Sequence, residues 1–289
     1  MVDAFRLGRR TFEPSELAVM AIVNRTPDSF YDRGATFDPD DALRAVERAV
    51  TEGADIIDIG GVKAGPGEDV DAAEEIRRTV ATVGAVRSAY PDIVISIDTW
   101  RAEVATEAVA AGADLINDTW GGADPVLAEI AAATGAGLVC SHAGGLAPRT
   151  RPHRAAFADV VGDVVATVTR LADRAKELGV RPDGILIDPA HDFGKNTRQS
   201  LALTRRLDEL VATGWPVLVA LSNKDFIGET LDVPVEDRLD GTLAATAVSA
   251  WLGARVFRAH QVAPTRRVLD MVAAIRGDRP PAVARRGLA

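Results

Sequence analysis

The chain has almost no sulfur chemistry. One cysteine, Cys140, in 289 residues excludes an internal disulfide and points to a reducing, cytoplasmic setting. It lies inside an apolar run and reads as a small buried hydrophobe. Four histidines with no HExxH spacing argue against a zinc site. No apolar run approaches the roughly 18 residues of a membrane span, and Met1 to Leu17 lacks the apolar centre of a signal peptide, so no membrane partner is expected. A basic surplus is also missing. The net charge is -9 and the pI about 5.0, which excludes the basic face of a nucleic-acid binder but not one small basic pocket. No GxGxxG follows the first apolar run, which weakens a dinucleotide-binding reading.

What is present is an ordinary globular composition, 47% hydrophobic and 26% charged, with eight short apolar runs, each ending on polar residues or glycine. Ala18 to Val23 ends on Asn24, Asp55 to Ile59 on Gly60-Gly61, and Ile93 to Ile97 on Asp98. Leu115-Ile116 ends on Asn117, Leu138 to Cys140 on Ser141-His142, and Ile185 to Ile187 on Asp188. Val217 to Leu221 ends on Ser222-Asn223-Lys224, and Val256-Phe257 on Arg258 and His260. Strands buried on both faces read as continuous apolar runs.

Helical spacing fills the intervals. The predicted helices are Asp40 to Thr51, Glu74 to Ala89, Arg101 to Ala111, Asp124 to Ala133, Phe157 to Leu178, Thr197 to Ala212, Gly241 to Leu252 and Pro264 to Ile275. Asp38 or Asp40 is a candidate cap for the first, and a glycine follows most of them. Eight strand–helix units predict an α/β fold, a single-domain (β/α)8 TIM barrel over residues 1–276, in preference to an open doubly wound sheet. Residues 277–289, rich in Pro and Arg, are expected to form a mobile tail. The connection from His142 to Ala156 is long and carries Arg149, Arg151, His153 and Arg154, as a lid or as a solvated loop.

In a barrel of this kind the active site lies at the carboxyl ends of the strands. Asp98, Asn117 and Asp188 would then face one axial pocket. Two carboxylates and an amide suit a ligand with adjacent N–H donors, such as an amino-pyrimidinone edge, with Lys224 offsetting charge and donating to a ring atom. The competing reading for each is a helix cap, as for Asp98 before Thr99-Trp100-Arg101. Asn24, Arg258 and His260 form a second group. Arg and His suit an anion such as pyrophosphate, Arg also lies flat on aromatic rings, and the Asn24 amide oxygen suits a hydrated magnesium ion.

Taken together, these motifs resemble dihydropteroate synthase from about Leu17 to Ile275. The residues that carry the resemblance are Asn24-Arg25-Thr26-Pro27-Asp28-Ser29-Phe30, Ile57-Asp58-Ile59-Gly60-Gly61, Ser96-Ile97-Asp98-Thr99 and Ile116-Asn117-Asp118. Pro148-Arg149-Thr150, Asp188-Pro189, Phe193-Gly194-Lys195, Ile227-Gly228 and Arg258 with His260 complete the set. The family joins a dihydropterin pyrophosphate to p-aminobenzoate with loss of pyrophosphate. The resemblance implies pterin contacts from Asp98, Asn117, Asp188 and Lys224, and Arg258 beside the ring. It places Asn24, Arg258 and His260 at the pyrophosphate, with Asn24 at Mg2+. It also implies a homodimer through helices near the C-terminal end, around Leu243 to Trp251 and Val268 to Ile275.

The departures fall on the acceptor half of the site. Where the family reads E-S-T-R-P-G, this chain has Val62 to Gly67, with Ala64 and Gly65 replacing Thr and Arg. Where it reads S-R-K-S, Asn223 replaces Arg and Asp225 replaces the serine near the p-aminobenzoate carboxylate. An acid facing an acid at close range costs about 1–4 kcal/mol, and each lost charge-assisted bond roughly 1.5–3 kcal/mol. Ala220 stands for a family glycine and crowds the pterin, while Arg25 and Arg33 add charge to the first loop. The expectation is a synthase-like protein that keeps the pterin-pyrophosphate half but has little or no synthase activity, as in the divergent second paralogue of actinobacteria. The alternatives are an active synthase and a transferase with a different amine acceptor.

Overall fold

The computed structural model describes residues 3–27, 36–67, 69–150 and 156–287. Asp28, Ser29, Phe30, Arg33, Arg151, His153 and Arg154, which figure in the motifs and loops above, lie outside them. The eight apolar runs form parallel strands: β3 (Ala18–Asn24), β4 (Ile56–Gly60), β5 (Val94–Asp98), β6 (Leu115–Asp118), β7 (Gly137–Ser141), β8 (Ile185–Asp188), β9 (Leu218–Ala220) and β10 (Val256–Ala259). Their spatial order is β8-β7-β6-β5-β4-β3-β10-β9. A parallel bridge between Ile187 and Val217 joins the two ends, and the Ile187 N–H donates to the Pro216 carbonyl at 3.0 Å. The sheet is therefore the predicted barrel and not an open doubly wound sheet.

Alternation along each strand separates two environments. One set of side chains packs outward against the helices, such as Ile57, Ile95, Ile116 and Ile187. The other fills the lower barrel, with Met20, Ile56, Val94, Leu115, Val139, Leu186, Leu218 and Val256 in one cluster. Continuing the inward set toward the carboxyl ends gives Asp58, Ser96, Asp98, Asn117, Ser141, Asp188, Arg258 and His260. Period two alone thus turns an apolar plug below into a polar pocket above.

The helices fall close to their predicted places. They are α1 (Pro39–Thr51), α2 (Ala72–Ala89), α3 (Ala102–Ala110), α4 (Val126–Thr134), α5 (Val160–Glu177), α6 (Thr197–Arg205), α7 (Leu207–Val211), α8 (Asp225–Leu231), α9 (Leu239–Trp251) and α10 (Val262–Arg276). Asp38 caps α1 by accepting from the Asp40 N–H at 2.9 Å. The single helix expected over 197–212 is two, because Arg206 leaves helical geometry at φ -108°, ψ 29°. Arg206 instead pairs with Asp159 at 2.8 Å and Glu209 at 2.6 Å.

The chain opens with a hairpin that the sequence reading lacks, β1 (Phe5–Leu7) with β2 (Arg10–Phe12). Phe5, Leu7 and Phe12 belong to the lower-barrel cluster, and the Phe5 and Phe12 rings stack at 4.6 Å. Buried Arg255 ties this plug down by donating to the Glu16 carbonyl at 3.0 Å, with its guanidinium over the Phe5 ring. Each strand has three residues, too few for a visible alternation.

Removing a buried phenylalanine leaves a cavity that costs about 3–5 kcal/mol. Phe12→Ala is therefore expected to lower stability by about that much in urea denaturation. A loss below about 1 kcal/mol would mean that the hairpin does not close the barrel.

Candidate functional site

At the carboxyl end of the barrel, the Arg258 guanidinium bridges two carboxylates. Its Nε donates to Asp58 Oδ2 at 2.6 Å and its Nη2 to Asp98 Oδ2 at 2.6 Å. Asp58 also accepts from Ser96 Oγ at 2.6 Å and from Asn117 Nδ2 at 3.3 Å, and Asp98 accepts from Thr119 Oγ1 at 3.1 Å. Burial lowers the pKa of Arg258, but Asp58 and Asp98 more than offset it and hold the cation in place. Burial pushes Asp98 up to about 7, against the attraction of Arg258.

Asp188 is buried and accepts the Ala190 N–H at 2.7 Å. Burial raises its pKa, while Lys224 counters. Lys224 Nζ donates to the His191 carbonyl at 2.5 Å and lies 5.0 Å from the centre of the Phe193 ring. Its pKa is lowered by burial, with Asp192 and Asp188 opposing. Asn117 is buried, and its Oδ1 has no protein partner.

A small cavity of about 80 Å3 brings together Asn24, Asp98, Lys224, Arg258 and His260. Asn117 and Asp188 sit on the neighbouring inward positions. His260 Nδ1 is 3.0 Å from Ser222 Oγ. Burial, then Arg258 and Lys224, push His260 down to about 3. The imidazole is therefore neutral near pH 7, and Arg258 and Lys224 supply the positive charge.

The profile of the family described as "Pterin binding enzyme" matches residues 20–260. The chain belongs to that family. It is 62% identical over 275 residues, 94% of each chain, to a Mycobacterium leprae protein named inactive dihydropteroate synthase 2. It superposes with a TM-score of 0.89 and 34% identity on Yersinia pestis dihydropteroate synthase in a sulfonamide drug complex, covering 96% of this chain and 100% of that one. A Coxiella burnetii dihydropteroate synthase in complex with pteroic acid gives 0.85 and 33%, over 96% and 99%. The protein is thus a dihydropteroate synthase-like pterin-binding barrel.

Within this pterin-binding-family barrel, the sequence reading missed Asp58, Ser96, Thr119 and Ser222 as site residues. Asp58 carried a usable signal, a charge at an inward position of an otherwise apolar strand. The reading also misplaced Arg25. Its side chain is buried, donating to the carbonyls of Arg78 at 3.0 Å and Thr36 at 2.9 Å and to that of Phe37. It braces the barrel and adds no exposed charge to the first loop.

A larger cleft of about 620 Å3 adjoins the pocket, with Ala64, Gly65, Trp120, Phe193, Asp225 and Phe226 among its walls. Arg149 Nε donates to the Gly65 carbonyl at 3.3 Å, holding one wall. Asn223 turns away from the cleft. It is buried at φ 55°, a left-handed geometry that Asn tolerates better than most residues. Its Nδ2 donates to Gln261 Oε1 at 3.2 Å. The Asp225 side chain is 81% exposed and 2.8 Å from Arg238 Nη1. That pairing in high dielectric corrects the expected repulsion: the carboxylate is partly neutralised and well solvated, so its cost to a nearby acid falls at the low end. Arg238 reaches this position because residue 228 is glycine. A Cβ there would lie 2.3 Å from the guanidinium Nε.

A histidine whose folded pKa is depressed takes up a proton more readily when unfolded. The stability tied to a neutral His260 is present above about pH 6.5 and lost as pH falls from there toward about 3. His260→Gln is expected to lose less stability than the parent between pH 7 and 5 in urea melts. Equal losses would show that His260 titrates normally.

Proposed function

We propose that this protein binds a pterin diphosphate at the carboxyl end of its barrel and has little or no dihydropteroate synthase activity. The observation that carries this reading is the contrast between the two halves of the site. The pterin half holds Asp98, Asn117, Asp188, Lys224 and Arg258 at the carboxyl end of the barrel, with the Asn117 Oδ1 acceptor unpaired. The acceptor half has small, uncharged Ala64 and Gly65 on its loop, Asn223 turned inward and Asp225 at its edge. The name of the Mycobacterium leprae relative points the same way.

In this reading, Asp98, Asn117 and Asp188 accept or donate along the pyrimidinone edge, and Lys224 donates to a ring atom. Arg258 must exchange part of its hold on Asp98 for the ligand. Arg258 and Lys224 then balance the charge of the bound diphosphate. Among the described residues, no three His, Cys, Asp or Glu side chains are grouped to hold a metal. The donor set therefore fits a largely hydrated Mg2+ that arrives with the diphosphate, touching the chain at Asn24, rather than a caged ion. Such an ion would supply charge neutralisation at the phosphates.

We also take the protein to be a homodimer through α9 and α10, whose Val248, Trp251, Met271 and Ile275 are exposed. A cytoplasmic location fits the lone buried thiol of Cys140, which burial keeps protonated. Among the described residues no helix is long and apolar enough to cross a membrane. Residues 277–289 we take as a tail appended to the barrel of residues 1–276.

Incubation with dihydropterin pyrophosphate and Mg2+ is expected to give no pyrophosphate release that depends on p-aminobenzoate. Dependent turnover at an ordinary synthase rate would overturn the reading. The variant carrying Ala64→Thr, Gly65→Arg and Asp225→Ser is expected to gain at least tenfold in p-aminobenzoate use, about the value of one charge-assisted bond. No gain would place the defect elsewhere.

A further inference from the structure

We propose that the cleft beside the pterin pocket receives a positively charged aromatic amine, not an anionic one. This rests on reading the barrel mouth as the pterin site and names the class of molecule that sits next to it. Trp120, Phe193 and Phe226 wall the cleft, and aromatic faces suit both a flat ring and a cation. Trp120 meets Phe193 edge-on at 5.2 Å. Trp120 is buried and lines the cleft beside Phe193 and Phe226.

The charges separate by accessibility. Three lysines line the cleft, and two of them, Lys195 and Lys224, are committed to the backbone. Lys195, itself buried, donates to the carbonyls of His142 at 2.8 Å, Ala190 at 3.1 Å and Phe193 at 2.7 Å, which uses all three of its protons. Lys224 is held by the His191 carbonyl. At the mouth stand Asp225 and Glu229, both exposed and one helical turn apart on α8. Asp225 gives one oxygen to Arg238 and keeps the other. Glu229 accepts from the Thr197 hydroxyl. Lys63 also lines the cleft. A carboxylate entering here would meet two acids at the rim, with two of the three lining lysines already spent inside. An amidinium or ammonium of the same shape would meet the acids directly.

The test uses two probes of one shape and opposite charge, p-aminobenzamidine and p-aminobenzoate, titrated calorimetrically into the full-length protein with and without saturating 6-hydroxymethylpterin. The pterin titration alone tests the proposed pterin site. p-Aminobenzamidine is expected to bind at least tenfold more tightly than p-aminobenzoate. Glu229→Gln should weaken it several-fold, and Asp225→Asn with Glu229→Gln should erase or reverse the preference by releasing Arg238. Equal or reversed affinity in the parent protein, no binding of either probe, or a preference unchanged in the double variant would each overturn the proposal. Pterin binding with no preference for the amidine would sink this inference alone, and amidine binding without pterin binding would sink the pterin reading alone.

Discussion

One arginine between two carboxylates organises the top of this barrel. Arg258, Asp58 and Asp98 come from three different strands, and each would be costly to bury alone. Together they form a network in which removing one partner leaves an uncompensated charge, a loss of about 3–5 kcal/mol in comparable settings. Ser96, Asn117 and Thr119 complete the hydrogen bonds around it. The mouth of the barrel is therefore preset in its ligand-free form by the same groups that would contact a ligand. A flat molecule with N–H donors can enter only by replacing part of that network with equivalent bonds.

The lower barrel makes this possible. Aliphatic side chains and the Phe5–Phe12 stack fill the space below Asp58 and Ser96. Polar groups just above a close-packed layer cannot retreat into it. The N-terminal hairpin is remote from the site, yet it closes the end from which water would otherwise reach the buried carboxylates.

The second half of the mouth follows different physics. Lys195 and Lys224 are held by backbone carbonyls, while Asp225 and Glu229 are exposed. Asn223 occupies a left-handed position and ties the strand end to Gln261, and Arg238 spans from the Asn223 carbonyl to Asp225. The segment that departs from the family's S-R-K-S pattern is locked to the scaffold by these bonds. One half of the mouth keeps the residues of the family pattern while the other departs from it, because each is carried by separate loops on a common frame.

Much of this was readable from the sequence. Eight apolar runs with polar ends determined the barrel, the strand ends and Asn24, Asp98, Asn117, Asp188, Lys224, Arg258 and His260, because strand period and motif spacing are local properties. Ala64, Gly65 and Asp225 also stood out locally, as departures from a known pattern. Only the tertiary structure decided which charges meet. It paired Arg258 with Asp58, buried Arg25 as a brace, gave Asp225 to Arg238 and used the hairpin from Phe5 to Phe12 as a plug. Those outcomes depend on contacts between residues far apart in the chain, 200 positions for Arg258 and Asp58 and 239 for Arg255 and Glu16, and no local pattern encodes the dielectric or the partner that a side chain finds there.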